Sequence, residues 1–222
     1  NEDDESGEIG EEDLHIQEVE EPKEEIKLKH IKEFNIKLWV LLIINMFLNS
    51  SHFTVLGNAN DMLVKLFNIE YENAGYYLNC VFLQIAIVCP LFGKLSDIYG
   101  KRVALMTVSC VVFILGHLII VLLPSNSSTG VIILPLILIG LFFSLFSAVY
   151  WPCIPMVVDR NKVGTAFGIV TAIQNLNGVI SPLIYGYIVD RTKDFRGGYF
   201  FAESFIVIQG FISLYFCFAL NV

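Results

Sequence analysis

The sequence predicts an all-α membrane protein built as a bundle of six transmembrane helices, and three observations predict it. Its 222 residues are 55% hydrophobic and 16% charged, with a mean hydropathy of +0.65; a soluble domain averages about 45–50% apolar and about 25% charged. Six apolar runs each approach or exceed the roughly 20 residues that carry a helix across hydrocarbon. Charge is also segregated. Residues 1–25 hold 13 acids and one lysine, whereas residues 26–222 hold 13 bases and nine acids. The net charge of -8 therefore hides a mildly basic, hydrophobic body behind a short acidic segment. A disulfide-stapled secreted scaffold is excluded, because the five cysteines (Cys80, Cys89, Cys110, Cys153 and Cys217) all lie in apolar runs. Nucleic-acid binding is excluded by the lack of a basic patch interleaved with aromatics. The start at Asn1 and the stop at Val222, directly after an apolar run, read as a piece of a longer protein.

Each element follows from local pattern. Residues 1–25 are too acidic and too poor in apolar surface to offset the entropy of ordering, which predicts a disordered acidic cytoplasmic linker. In residues 26–37, Leu28, Ile31 and Phe34 recur near helical spacing between lysines, with Leu38 continuing the row. That predicts an interfacial basic helix leading into the bundle of residues 38–222. The first span runs from about Phe34 to Asn58, the second from Gly75 to Leu95 and the third from Val103 to Leu123. The fourth runs from Val131 to Val158, the fifth from Val163 to Val189 and the sixth from Gly198 to Leu220. Pro152 and Pro155 predict kinks near the end of the fourth.

Ten lysines and arginines flank the spans on one side and four on the other. The basic side faces the cytoplasm, so both termini are expected there. Asn126-Ser127-Ser128 is a glycosylation acceptor pattern in the opposite loop, which looks too short and too near the membrane to carry a glycan.

The loop between the second and third spans carries the strongest local motif, Gly93-Lys94-Leu95-Ser96-Asp97-Ile98-Tyr99-Gly100-Lys101-Arg102. Gly93 would let two helices approach closely. Gly100 can take a left-handed conformation. Asp97 can pair with a nearby base or a helix N-terminus, and Lys101 and Arg102 hold the loop in the cytoplasm. The motif resembles the G-x-x-x-D-x-x-G-[RK]-[RK] signature of the major facilitator superfamily. That resemblance implies the C-terminal six-helix half of a twelve-helix fold, with an N-terminal six-helix half as partner. It also implies that Asp97 docks on a helix N-terminus of that other half, and that residues 162–164 receive the other half's aspartate. Trp151-Pro152, Gly164-Thr165-Ala166-Phe167-Gly168, Ile173-Gln174-Asn175-Leu176 and Gly198-Tyr199 with Glu203 are similar to the lysosomal dipeptide uniporter branch of the superfamily. The doubled base Lys101-Arg102 and the extra Pro155 depart from it. This second resemblance implies alternating-access export of dipeptides or amino-acid-like solutes from a lysosome-type organelle, with an accessory membrane glycoprotein as a further partner. The implied address is a lysosomal or other acidic-organelle membrane, with the plasma membrane as the alternative.

Polar residues inside a span are costly and mark pathways or helix contacts. Asn45, Asn49 and His52 fall at i, i+4 and i+7, on one helical face; they face either solute or a neighbouring helix. His52 is either a proton-linked switch or a neutral histidine. Tyr150 and Trp151, with Ser147, offer flat contact area with polar tips in the fourth span. Thr171, Gln174, Asn175 and Asn177 cluster in the fifth, for interhelical hydrogen bonds or solute contact. The candidate solute-binding set is Asn45, Asn49, His52, Tyr150, Trp151 and Gln174. Glu203 is expected to pair with Arg191, Lys193 or Arg196, and His117 to be a packed or interfacial residue. Metal-ligand spacing, a P-loop, a dinucleotide fingerprint and a nucleophile–base pair are all absent from the sequence, so neither a cofactor nor an enzyme is predicted. Two other readings fit the same residues: a self-dimerising half-transporter or channel, and a receptor or scaffold that keeps the fold without transporting.

Overall fold

A computed structural model describes residues 33–220, apart from Asn126. The acidic linker, the glycosylation acceptor and all but the last residues of the interfacial helix lie outside the described residues.

Six long helices follow in order: α1 (Ile36–Phe67), α2 (Tyr71–Tyr99), α3 (Arg102–Leu122), α4 (Thr129–Cys153), α5 (Val163–Arg191) and α6 (Tyr199–Leu220). All six spans are long and apolar enough to cross a membrane, and the protein is a multi-pass membrane protein. Hydrocarbon offers no water to backbone groups, so a helix, which satisfies its own, is the element these runs must form.

Several ends differ from the sequence expectation, each for a local reason. Helix α1 starts at Ile36, where the Asn35 side chain accepts from the Lys37 N–H at 3.1 Å. It continues nine residues past Asn58 to Phe67, at about 48 Å for 32 residues. The overrun holds because Asp61 and Lys65 pair at i, i+4 across 2.8 Å, while Ala59, Met62, Leu63, Leu66 and Phe67 keep one face buried. Helix α2 ends at Gly100, whose φ of 64° is left-handed, with its N–H on the Ser96 carbonyl. Pro152 lies in the last turn of α4 and Pro155 just past its end. Helix α4 ends at Cys153 and a 3-10 turn, Ile154–Met156, takes over, since proline removes donors the next turn would need. Gly93 brings no pair of helices together within this chain: a Cβ there would meet nothing within 4 Å.

Packing exchanges two triplets of helices. Helix α1 packs on α5 and α6, α4 packs on α2 and α3, and α3 meets α6 between them. The partners therefore swap between α1–α3 and α4–α6, as expected of a pair of three-helix repeats. This leaves α2 and α5 on the outside: α2 buries Ala74, Val81 and Ser96, and little more of α5 is covered. The core runs through α1, α3, α4 and α6, with Phe113, Phe142, Phe146, Leu41, Ile44 and Leu48 among its fully buried side chains.

The α3–α6 contact depends on Gly210. A Cβ there would fall 2.8 Å from Ile114 and 2.9 Å from Phe113, closer than packed carbons approach. Gly210→Ala should therefore cost about 1–3 kcal/mol through overpacking. Gly186→Ala, where a Cβ meets nothing within 4 Å, should cost nothing by the same mechanism. Thermal unfolding in detergent checks both, and equal midpoints for the two variants would count against this packing.

Candidate solute-binding site

The polar stripe of α1 faces the seam between α4 and α5. Asn49 Nδ2 donates to Asn45 Oδ1 at 3.3 Å, and Asn45 Nδ2 donates to Gln174 Oε1 of α5 at 2.9 Å. Three of the expected site residues thus form one amide chain across two helices. Asn177 Nδ2 donates to the Met46 carbonyl at 2.6 Å, and Thr54 Oγ1 to Ser181 Oγ at 3.0 Å. Polar side chains of α5 therefore tie it to α1 at three levels, while Asn175 stays exposed. Beside this chain lies an open groove of about 340 Å³, lined by Ser50, Phe53, Gln174, Asn175, Gly178 and Val179.

His52 turns toward α4 instead. Its ring stacks on Phe143 at 4.0 Å with an interplanar angle of 6° and meets Phe142 edge-on. Neither of its ring nitrogens has a partner among the described residues. Tyr150 and Trp151 form a separate aromatic group. Tyr150 is fully buried and stacks on Phe146 at 5.1 Å, with Trp151 set edge-on at 5.4 Å. Trp151 in turn stacks on Phe167 of α5 at 6.1 Å. Buried polar atoms left without a partner among the described residues include Asn49 Oδ1 and Ser50 Oγ beside the groove and, toward α4, both His52 nitrogens and the Tyr150 hydroxyl. Native interiors satisfy nearly all such groups, so this seam has hydrogen-bonding capacity to spare.

In the signature loop, Arg102 Nη2 meets Asp97 Oδ1 at 2.8 Å. Arg102 opens α3 and is mostly covered, whereas the Asp97 carboxylate is 73% exposed. Lys101 is exposed beside it, and Gly93 and Gly100 frame the turn. The base that pairs with Asp97 is therefore the second of the two that follow Gly100.

Glu203 is not paired with Arg191, Lys193 or Arg196. Its carboxylate meets His117 Nδ1 of α3 at 2.7 Å and accepts from the Tyr185 hydroxyl of α5 at 2.8 Å. Arg196 is drawn elsewhere. It donates to the Val121 carbonyl at 2.7 Å and to the Leu123 carbonyl, at the C-terminal end of α3, where orphan carbonyls and the helix dipole favour a cation. Sequence reading treated His117 and Glu203 separately. The signal that could have joined them is that each is a lone ionisable group in its apolar run.

Residues 36–220 match the family model of the Major Facilitator Superfamily. With six apolar helices in this arrangement, the chain belongs to that superfamily and has the form of one six-helix half of its fold. The lysosomal dipeptide transporter MFSD1 of Bos taurus is 28% identical over 191 residues, covering 86% of this chain and 39% of that protein. Its Danio rerio counterpart is 27% identical over 184 residues, covering 83% and 38%. A hexuronate transporter of Bacillus subtilis is 39% identical over a shorter stretch of 66 residues, 30% of this chain and 16% of that protein. The chain thus spans about two fifths of the length of the lysosomal relatives it matches.

Asn177→Ala removes the side-chain donor to Met46 from the α1–α5 seam. A loss of about 0.6–2 kcal/mol is expected, the range for interhelical hydrogen bonds in membranes. Thermal unfolding of purified protein measures it, and an unchanged midpoint would show that α5 does not depend on this tie.

Proposed function

We propose that this chain is the C-terminal half of a secondary transporter that moves a small organic solute by alternating access. The solute is a dipeptide or an amino-acid-like molecule exported from a lysosome-type organelle, and both ends of the bundle face the cytoplasm. The observation that carries the reading is the amide chain Asn49–Asn45–Gln174 beside an open groove between α1 and α5. Amides offer donors and acceptors without fixed charge, which suits a peptide backbone or a comparable polar group. The unpartnered Asn49 Oδ1 and Ser50 Oγ add capacity beside the groove, and His52 and Tyr150 hold further unpartnered atoms on the α4 side. The names of the lysosomal relatives supply the solute class and the organelle. The names of the hexuronate and tartrate transporters keep other small organic solutes within the same reading.

The outward faces of α2 and α5 are where an N-terminal six-helix half would sit, with lipid covering the rest of the bundle. In this reading Asp97, with Oδ1 on Arg102 and its carboxylate largely exposed, docks on that half, and the start of α5 at residues 162–164 receives the reciprocal aspartate. An accessory membrane glycoprotein belongs to the proposal through the same family resemblance.

Uptake into proteoliposomes holding the full-length protein tests this. Asn49→Ala and Trp151→Ala should lower dipeptide flux at least about tenfold, a loss of 1.4 kcal/mol or more, while folded yield stays near that of the parent. If both residues only pack helices, flux per folded molecule should be unchanged and the melting midpoint should fall instead. Asp97→Asn should make cysteines placed on the cytoplasmic side of the seam more accessible to a membrane-impermeant thiol reagent. An unchanged labelling pattern would remove Asp97 from the conformational role.

A further inference from the structure

The deepest charged cluster lies away from the α1–α5 seam. His117 of α3 and Glu203 of α6 are both fully buried, with Nδ1 and Oε2 2.7 Å apart. The Tyr185 hydroxyl of α5 donates to the other carboxyl oxygen at 2.8 Å. Three helices thus meet on one carboxyl group, and both of its oxygens are engaged. Phe113 closes the histidine side at 4.5 Å, and the Tyr199 ring lies 6.4 Å from that of Tyr185.

Among the described residues no other ionisable group hydrogen-bonds His117 or Glu203, although His52 is near enough for its charge to act on His117. From α1, Asp61 is bound by Lys65 and by the Tyr199 hydroxyl, and His52 lies beyond the Phe113–Phe142 layer. From the α5–α6 turn, Arg196 is held on the α3 carbonyls. Asp190, at the end of α5, is exposed. On α3 and α6, Cys110 and Cys217 contact each other at 3.4 Å. Helix α4 brings Phe142 to this region, and its titratable groups, Tyr150 and Cys153, lie near its far end. His117 is therefore the one basic side chain in contact with Glu203 among the described residues.

Proton counting gives the cluster two states. With a neutral imidazole donating from Nδ1 to a carboxylate, it carries one negative charge. One added proton brings it to zero, either as imidazolium against carboxylate or as imidazole accepting from the carboxylic acid. Both loaded forms keep the 2.7 Å contact, and Tyr185 can still donate to Oε1. In both, His117 Nε2 bears a hydrogen, and in the unloaded form Nε2 is a free acceptor. Yet Nε2 is buried and has no partner among the described residues. Native interiors leave few such nitrogens bare.

We propose that His117, Glu203 and Tyr185 form a one-proton binding site inside the bundle, loaded and unloaded through His117 Nε2. The ligand is a proton, and its occupancy sets the charge at the junction of α3, α5 and α6. This site goes beyond the solute reading and does not depend on which solute is carried.

The test is infrared difference spectroscopy of the full-length protein in lipid, with ring-labelled histidine, stepped across about pH 4–9. Other histidines and carboxyls of the chain contribute to the same spectra, so the site is read as the one step, in imidazole, carboxyl or both, that responds to the two variants. Glu203→Gln, which preserves size and hydrogen-bonding groups, should abolish it and lower the measured proton uptake by about one per molecule. Tyr185→Phe, a milder change, removes a hydrogen bond to the carboxylate and should tighten proton binding about tenfold. Spectra of folded protein in which no step is lost or shifted in either variant would overturn the site. If Glu203→Gln fails to fold, Tyr185→Phe decides alone: a shifted step supports the site and an unshifted one refutes it. The spectra need no solute, so a protein that moves no dipeptide still answers the question.

Discussion

The structure depends on one constraint: inside hydrocarbon a polar group must find its partner within the protein. The backbone meets this through six helices. Side chains meet it through long-range pairs, and α1 shows how much follows. Its polar residues reach three neighbours: Asn45 to Gln174 of α5, Ser51 to Gln209 of α6 at 2.9 Å, and His52 onto Phe143 of α4. Removing α1's polar stripe would take away the Asn45–Gln174 and Thr54–Ser181 ties and leave α5, which buries few of its residues, with Asn177 on the Met46 carbonyl and Tyr185 on Glu203. Apolar side chains alone give weak orientation in lipid, because lipid tails are as apolar as leucine. The amides of α1 and α5 therefore fix register as well as contact.

The same constraint separates two kinds of polar site. Along the α1–α5 seam, amides and hydroxyls are partly satisfied and a groove opens beside them. At the α3–α5–α6 junction, a carboxyl is fully satisfied and fully enclosed. A solute site is served by the first arrangement, since unpartnered donors and acceptors beside an open groove can meet a solute, whereas the enclosed carboxyl has room to exchange no more than a proton. A buried charge requires the second, since an unpaired carboxylate costs far more than an unpaired amide. Helix α5 serves both, with Gln174 and Asn177 toward α1 and Tyr185 toward Glu203. Motion of α5 would disturb both sites together.

Much of the fold was legible because apolar length is a local property. The six runs, the turn at Gly100 and the i, i+4 link between Asn45 and Asn49 follow from residues close in sequence. What was not legible was set by distant partners or by competing local rules. The overrun of α1 was hidden by Asp61 and Lys65, whose charges ended the apolar count although their pairing lets the helix continue. The partner of Glu203 was missed because sequence proximity favoured Arg196, seven residues away, over His117, 86 residues away. Within the candidate site, the amides of α5 stood out as a polar cluster. Their particular partners on α1, Asn45 and the Met46 carbonyl, lie about 130 residues away and had no local signal.

The exchange of helix triplets gives the two sites a common frame. Helix α1 packs on α5 and α6 as α4 packs on α2 and α3, so the seams α1–α5 and α4–α2 occupy matching positions. They are not chemically alike. The first carries the amide chain, whereas the second is joined by Gln84 Nε2 donating to the Ile137 carbonyl at 3.0 Å over an otherwise apolar pocket lined by Tyr77, Val81, Ile133 and Leu136. A symmetric scaffold with polar chemistry concentrated along one of its two matching seams is why the proposed solute site is placed at that seam. The single glutamine at the other satisfies its backbone partner without opening a comparably polar groove.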